Sequence, residues 1–166
     1  MAARLAALDL ALYRLARTAG HTPASERAVR RFTLLGEHAA VWLALGGLGM
    51  ALDPARRERW RRGVMVVGGA YALNTALKLV VRRRRPQVPE LPPLAGTPTA
   101  LSFPSAHAAS SFAGARMYSQ LLPPGPLYAL AAALALSRLY LGVHWPSDSA
   151  AGAGLGLAVA TLADRR

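Results

Sequence analysis

At 166 residues the chain has room for one core, and its 53% apolar against 17% charged residues leave it poorer in charge than the roughly 25% of a soluble domain. A net charge of +12 suits nucleic acid or an anionic membrane surface. The arginines bunch at 56–62 and 82–85, flanking apolar stretches and not interleaving with exposed aromatics, so the expected partners are membrane lipids and no nucleic acid. Disulfides and thiolate metal sites are excluded, because there is no cysteine.

The first element, Arg4–Arg17, carries Asp9, Arg14 and Arg17 among apolar residues. That pattern fits no cleavable signal and predicts a helix lying along the membrane surface. Residues 1–31 then read as an interfacial helix and linker, and 32–166 as a transmembrane domain. A helix crossing the hydrocarbon layer needs about 20 residues at a rise of about 1.5 Å each. Five segments come close: Phe32–Leu52, Gly63–Val81, Pro104–Leu122, Pro126–His144 and Ser147–Ala163. None is a clean uncharged run, so a soluble helical bundle is the competing reading. Small residues argue for lipid: Gly46, Gly47, Gly49, Gly68, Gly69 and the run Ala150–Gly156 would let helices approach closely. The expected fold is therefore all-α, an integral-membrane bundle of about five spans behind an N-terminal interfacial helix, multi-pass in the plasma membrane.

The connections differ in character. Asp53–Arg62 is short and basic, with Trp60 placed as an interfacial anchor. Residues 82–103 form the longest loop and carry five prolines (Pro86, Pro89, Pro92, Pro93 and Pro98), in a stretch, 87–99, expected to help select a head group. Strict alternation of spans puts Lys78, His107, His144 and Asp148 at one face, together with the N-terminus. Arg4, Arg14, Arg17, Arg27, Arg30, Arg31 and Arg82–Arg84 fall on that face, against Arg56, Arg57, Arg59, Arg61, Arg62, Arg165 and Arg166 opposite. The balance leans toward a cytoplasmic site.

Those convergent residues are a kit for phosphate ester chemistry. A phosphate monoester brings two negative charges into a poorly hydrated cleft, and Lys78, Arg85 and Arg138 can answer them, the arginines as planar forks. Arg82–Arg84 read as a basic stop signal at a membrane end. Arg138 lies inside an apolar stretch and needs an anionic partner. Pro104, Ser105, Ala106 and His107 open a helix whose free N–H groups form an anion seat, with the Ser105 hydroxyl adding a donor. His107 could protonate a departing alkoxide. His144 could attack phosphorus through one ring nitrogen if Asp148 accepted the proton-bearing other one. The competing readings are that His107 and Asp148 merely cap helices, or that His107, His144 and Asp148 bind a metal; nearby cations oppose the latter, so no metal and no cofactor are expected.

Three strings carry a resemblance: Lys78 with Arg85-Pro86, Pro104-Ser105-Ala106-His107, and Ser137-Arg138 with His144 and Asp148. They resemble the type 2 phosphatidic acid phosphatase superfamily, which includes haloperoxidases, over roughly residues 63–160. Ala106 departs from the family's usual glycine but keeps its backbone N–H. The resemblance implies a metal-independent lipid phosphatase. In it Lys78, Arg85, Ser105, Ala106 and Arg138 hold phosphate, His144 becomes a phosphohistidine supported by Asp148, and His107 protonates the leaving group and later activates water. Chain length, the LLGEH string at 34–38 and SFPSAHAAS at 102–110 are most similar to an actinobacterial subgroup acting on decaprenylphosphoryl-5-phosphoribose. Glu37 and His38 would then face the head group. The alternatives are an undecaprenyl pyrophosphate, phosphatidylglycerophosphate or phosphatidic acid phosphatase, or a non-catalytic phospholipid-binding scaffold. The residues leave the oligomeric state open.

Overall fold

A computed structural model describes residues 2–165, and Arg166, counted above, lies outside them. Seven α-helices follow in order: α1 (Ala2–Thr18), α2 (Pro23–Thr33), α3 (Ala40–Leu52), α4 (Arg57–Val81), α5 (Ala106–Tyr118), α6 (Pro124–Tyr140) and α7 (Pro146–Asp164). Among the described residues the only β pairing is an isolated bridge between Arg84 and Leu101.

Local chemistry sets the boundaries. Thr22 starts α2 by accepting the Ser25 N–H at 3.1 Å, with Pro23 in the first turn. Between α2 and α3 runs a 3-10 segment, Leu34–Ala39, in which His38 (φ 49°) and Ala39 (φ 60°) adopt left-handed backbone. The expected first span is therefore kinked, with its continuous α-helix starting at Ala40. α4 is 25 residues long, about 37 Å by its rise, and ends where Arg82 turns left-handed (φ 54°). The stretches Pro23–Leu52 (30 residues, mean hydropathy 1.3) and Pro54–Val81 (28 residues, 1.6) are long and apolar enough to cross a bilayer.

α5 has only 13 residues, about 20 Å, so the third expected segment is shorter than the hydrocarbon layer. Its sequence is small and polar because it is the central helix, buried on nearly every side among α4, α6 and α7. α6 stops at Tyr140, which leaves His144 in a loop rather than at a helix end.

The core is aromatic. Trp42 stacks on Tyr118 with ring centroids 6.4 Å apart, Trp60 meets the same ring at 5.4 Å, and Tyr118 donates to the Trp42 carbonyl at 3.0 Å. Trp60 is thus a core residue and not an interfacial anchor. Gly49 clears room for its indole, while its N–H still reaches Asp53 at 3.0 Å. The glycines divide in the same way: Gly46, Gly49, Gly152 and Gly156 sit at close contacts, whereas Gly47, Gly68, Gly69 and Gly154 face open space.

α1 lies with its polar stripe inward. Asp9, Tyr13 and Arg17, spaced by four, are buried, while Leu5, Leu8, Leu12 and Leu15 are exposed. Arg17 donates to the Tyr140 and Pro92 carbonyls and Tyr13 to that of Leu91, tying α1 to the loops at one end of the bundle.

A side chain at Gly156 would collide with the backbone carbonyl of Ala109 on α5. Gly156→Leu should cost about 1–3 kcal/mol by overpacking, read as a lower midpoint in thermal unfolding, and Gly154→Leu should not. Equal midpoints for the two variants would refute the close α5–α7 packing.

Candidate active site

The loop after α4 explains how four successive arginines divide their work. Residues 83–85 are extended and pair with 100–102: Ser102 N–H donates to Arg83 O at 2.8 Å and Arg85 N–H to Ala100 O at 3.1 Å. Side chains alternate along extended backbone. Arg83 and Arg85 therefore both reach the 143–148 segment, and Arg84 turns to the exposed side.

A cavity of about 260 Å³ opens at this end of the bundle. Lys78, Arg85, Ala106, His107, Arg138 and His144 line it, with Glu37, His38, Tyr71, Thr75, Pro98 and Thr99 toward its mouth. The motif residues thus come from α4, the 82–103 loop, α5, α6 and the α6–α7 loop to one place. His38 Nδ1 lies 2.9 Å from the Tyr71 hydroxyl.

The cations here are unbalanced. Lys78 Nζ donates to the Ser102 and Leu101 carbonyls at 3.1 and 3.4 Å. Arg85 donates to the carbonyls of Thr99 (2.8 Å) and Val143 (2.6 Å), and its NH1 lies 3.2 Å from His144 Nε2. Arg138, only 4% exposed, donates to Thr33 Oγ1 at 2.9 Å and leaves its Nε without a partner. Among the described residues none of the three has a carboxylate at ion-pair distance. A desolvated cluster of positive charge without counter-ions is a seat for an anion with several oxygens. Burial also pulls the Arg85 guanidinium below its ordinary value, against the favourable field of Asp148.

The two imidazoles are oriented differently. A guanidinium can only donate, so His144 Nε2 is the acceptor facing Arg85, and the proton of the neutral ring sits on Nδ1. Nδ1 faces Asp148 Oδ2 at 3.4 Å, an ion-pair distance without the alignment of a full hydrogen bond. Burial pulls His144 down to about 4, outweighing the opposing pull of Asp148, so the ring is neutral at pH 7 and its unprotonated nitrogen points toward the cations. His107 instead commits Nε2 to the Thr33 carbonyl at 3.0 Å, which leaves Nδ1 for the cavity.

Ser105 is fully buried and accepts the Ala108 N–H at 3.5 Å. Its hydroxyl caps α5, and Ala106 takes its place on the cavity wall. Ala106 has ordinary helical backbone, so its methyl group carries no strain. Ser105 N–H donates to the Asp148 carbonyl at 3.0 Å, joining two of the three motif strings directly.

Four residues of the site were not singled out in the sequence. Thr33 receives Arg138, Ser137 and, through its carbonyl, His107. Gly36 lies against the His107 ring. Arg83, expected as a stop signal, donates to Asp148 Oδ1 at 2.9 Å and to Asp9 Oδ2 at 2.7 Å. Asp9 is the fourth. The period-two alternation after α4 was the available signal for Arg83; for Thr33, Gly36 and Asp9 there was none.

Comparison with known proteins gives the family and the fold. The PAP2 superfamily model matches residues 61–165. A decaprenylphosphoryl-5-phosphoribose phosphatase from Mycolicibacterium smegmatis is 43% identical over 127 residues, covering 74% of this chain and 68% of the relative. The protein of the same name from Mycobacterium tuberculosis is 38% identical over 146 residues, covering 86% and 80%. Among solved structures, Aquifex aeolicus LpxE superposes with a TM-score of 0.83 at 25% identity over 96% of both chains. A transmembrane PAP2-type phosphatidylglycerolphosphate phosphatase from Bacillus subtilis gives 0.77 at 25% identity, over 98% of this chain and 85% of its own.

A methyl group on Gly36 would press 2.5 Å from His107 Cδ2, and the ring could yield only by loosening its bond to Thr33. At an overpacking cost of about 1–3 kcal/mol, Gly36→Ala should weaken orthovanadate binding at least about fivefold by calorimetry. Gly47→Ala, facing open space, should leave it unchanged. Unaltered affinity in Gly36→Ala would remove Gly36 from the site.

Proposed function

This chain belongs to the PAP2 superfamily and is a phosphoric monoester hydrolase of the membrane lipid phosphatase type, and we propose that it hydrolyses the sugar phosphate of decaprenylphosphoryl-5-phosphoribose through a phosphohistidine on His144. One observation carries the reading. Three cations with no carboxylate at ion-pair distance, Arg138 buried and Lys78 and Arg85 half-buried, line one cavity with a neutral histidine whose unprotonated nitrogen faces Arg85.

The chemistry follows from the contacts. Lys78, Arg85 and Arg138 hold the non-bridging oxygens, where negative charge spreads in the transition state. Phosphate draws Arg85 away from His144 Nε2, and that nitrogen attacks phosphorus in line. As the P–N bond forms, the bond to the sugar oxygen breaks. His107, entering the step as the imidazolium beside the bound phosphate dianion, delivers its Nδ1 proton to that oxygen and keeps its Nε2–H on the Thr33 carbonyl. Asp148 meets the positive charge growing on the His144 ring. Water, deprotonated by His107, then attacks the phosphohistidine, breaking P–N and releasing inorganic phosphate with His144 neutral again. Positive charge comes from side chains, so no metal takes part.

The substrate assignment rests on the two mycobacterial relatives and on the lining of the cavity mouth. Glu37, His38, Tyr71 and Thr75 offer acceptors and donors suited to sugar hydroxyls beside the phosphate seat. The chain is multi-pass in the plasma membrane, and the arginine distribution favours a cytoplasmic site.

Two experiments test this. Purified protein in EDTA should release phosphate from decaprenylphosphoryl-5-phosphoribose in preference to undecaprenyl pyrophosphate, phosphatidylglycerophosphate and phosphatidic acid. His144→Ala should lower kcat by at least about 10⁴-fold; substantial turnover in that variant removes the nucleophile, and a different preferred lipid removes the substrate. For orientation, the absence of cysteine allows a single one introduced at Gln87. A membrane-impermeant maleimide should label it in inside-out vesicles and spare it in intact cells; the opposite pattern reverses the facing.

A further inference from the structure

α1 lies ahead of the region matched by the family model, and Arg83 lies between two motif residues, yet Arg83 contacts Asp148, which faces the candidate nucleophile, and Asp9 of α1 contacts Arg83. Arg83 spans two carboxylates with one fork: NH1 to Asp148 Oδ1 at 2.9 Å and NH2 to Asp9 Oδ2 at 2.7 Å. NH1 also donates to Ser147 Oγ at 2.6 Å, and Ser147 N–H donates to Asp9 Oδ1 at 2.8 Å. The Trp145 indole covers the guanidinium, 5.5 Å from ring centroid to carbon. Asp148 is fully buried and Asp9 is 3% exposed. Burial by itself would raise the Asp9 pKa; hydrogen bonds from Arg83 and Ser147 outweigh it, and the carboxyl is held below its ordinary value.

These contacts use up one side of the Asp148 carboxylate. Oδ1 is taken by Arg83 and Oδ2 accepts the Trp145 N–H at 2.8 Å while facing His144. Rotation of the carboxylate would break both hydrogen bonds. Charge follows the same logic. Arg83 alone would neutralise Asp148, but with Asp9 as a second anion the trio carries one net negative charge, left facing His144. No other charged side chain joins the trio among the described residues.

We propose that Asp9 and Arg83 are positioning residues for the reaction: α1 supplies the counter-charge that lets Arg83 fix Asp148 against His144 without cancelling its field. This rests on His144 as nucleophile and adds to that reading a role for a helix outside the three motifs.

The test compares Asp9→Asn, Arg83→Gln, Arg83→Lys, the Asp9→Asn/Arg83→Gln double variant and His144→Ala in phosphate release from the preferred lipid. Outer-sphere partners of functional histidines are commonly worth about 10–100-fold. Asp9→Asn and Arg83→Gln should each lower kcat by that order, with KM and inhibition by inorganic phosphate changed less than about threefold, because the anion seat is untouched. The double variant should be no worse than Arg83→Gln alone. Lysine should restore activity only in part, since one ammonium cannot bridge both carboxylates as the fork does. A general loss of structure would instead lower the thermal midpoint and raise KM together. Asp9→Asn keeps the shape of the side chain and carries the test if Arg83→Gln fails to accumulate. If His144→Ala is inactive while Asp9→Asn turns over within twofold of the unaltered protein at an equal midpoint, the positioning role is refuted and the phosphatase reading stands. If His144→Ala retains turnover, the nucleophile reading fails first.

Discussion

The constraint on which this molecule turns is the gathering of four cations at one end of an apolar bundle, Arg138 buried and Lys78, Arg83 and Arg85 half-buried. Isolated charge in such a setting costs several kcal/mol unless it is paired. The chain meets the cost in two ways. Arg83 is paired twice, by Asp9 and Asp148. Lys78, Arg85 and Arg138 meet carbonyl and hydroxyl oxygens and, for Arg85, the His144 ring nitrogen, neutral partners that leave the charge standing. The first arrangement builds structure. The second leaves positive charge that the proposed phosphate substrate would offset on binding.

Much of this could be read from the chain. The charge-free stretches gave the helical class, and the intervals from Lys78 to Arg85, Pro104 to His107 and Arg138 to Asp148 gave the convergence, because helix ends in an alternating bundle must meet. What escaped depended on tertiary geometry. A run of four arginines looks uniform until Arg82 turns left-handed and the next three residues extend, sending Arg83 and Arg85 one way and Arg84 the other. Thr33 and Gly36 belong to a kink between α2 and α3 whose left-handed residues, His38 and Ala39, are types that do not advertise that conformation. Trp60 looked interfacial because it follows a basic loop; Gly49, eleven residues earlier, decides that it packs inward. Span lengths failed at α5 for a related reason, since a helix enclosed by other helices has no need to match the bilayer.

α1 reverses the usual amphipathic arrangement relative to its own protein. Its polar stripe, Asp9, Tyr13 and Arg17, faces the bundle, and its leucines face away. In water that would leave four large apolar side chains uncovered on one helix. At a membrane surface the same arrangement is the stable one, because the leucines enter the acyl boundary while the polar stripe satisfies loop carbonyls that lipid could not. The N-terminal helix thereby holds Leu91, Pro92 and Tyr140, which lie near the loop that carries His144.

The remaining question is how two imidazoles, one on α5 and one in the loop between α6 and α7, keep one spacing. His107 rides on α5, and His144 faces Asp148 on α7 at 3.4 Å. The two helices are joined where Ser105 N–H meets the Asp148 carbonyl, and below that point Gly152 and Gly156 bring α7 against the Ser105 and Ala109 carbonyls. Larger residues at either glycine would wedge the helices apart and separate the rings, even though neither glycine touches the cavity. Close backbone approach sets the distance between the proposed acid and nucleophile more firmly than side-chain packing could, because it leaves no rotamer free to relax. The small residues that suit helices packing in lipid are therefore also what keeps the two histidines in register.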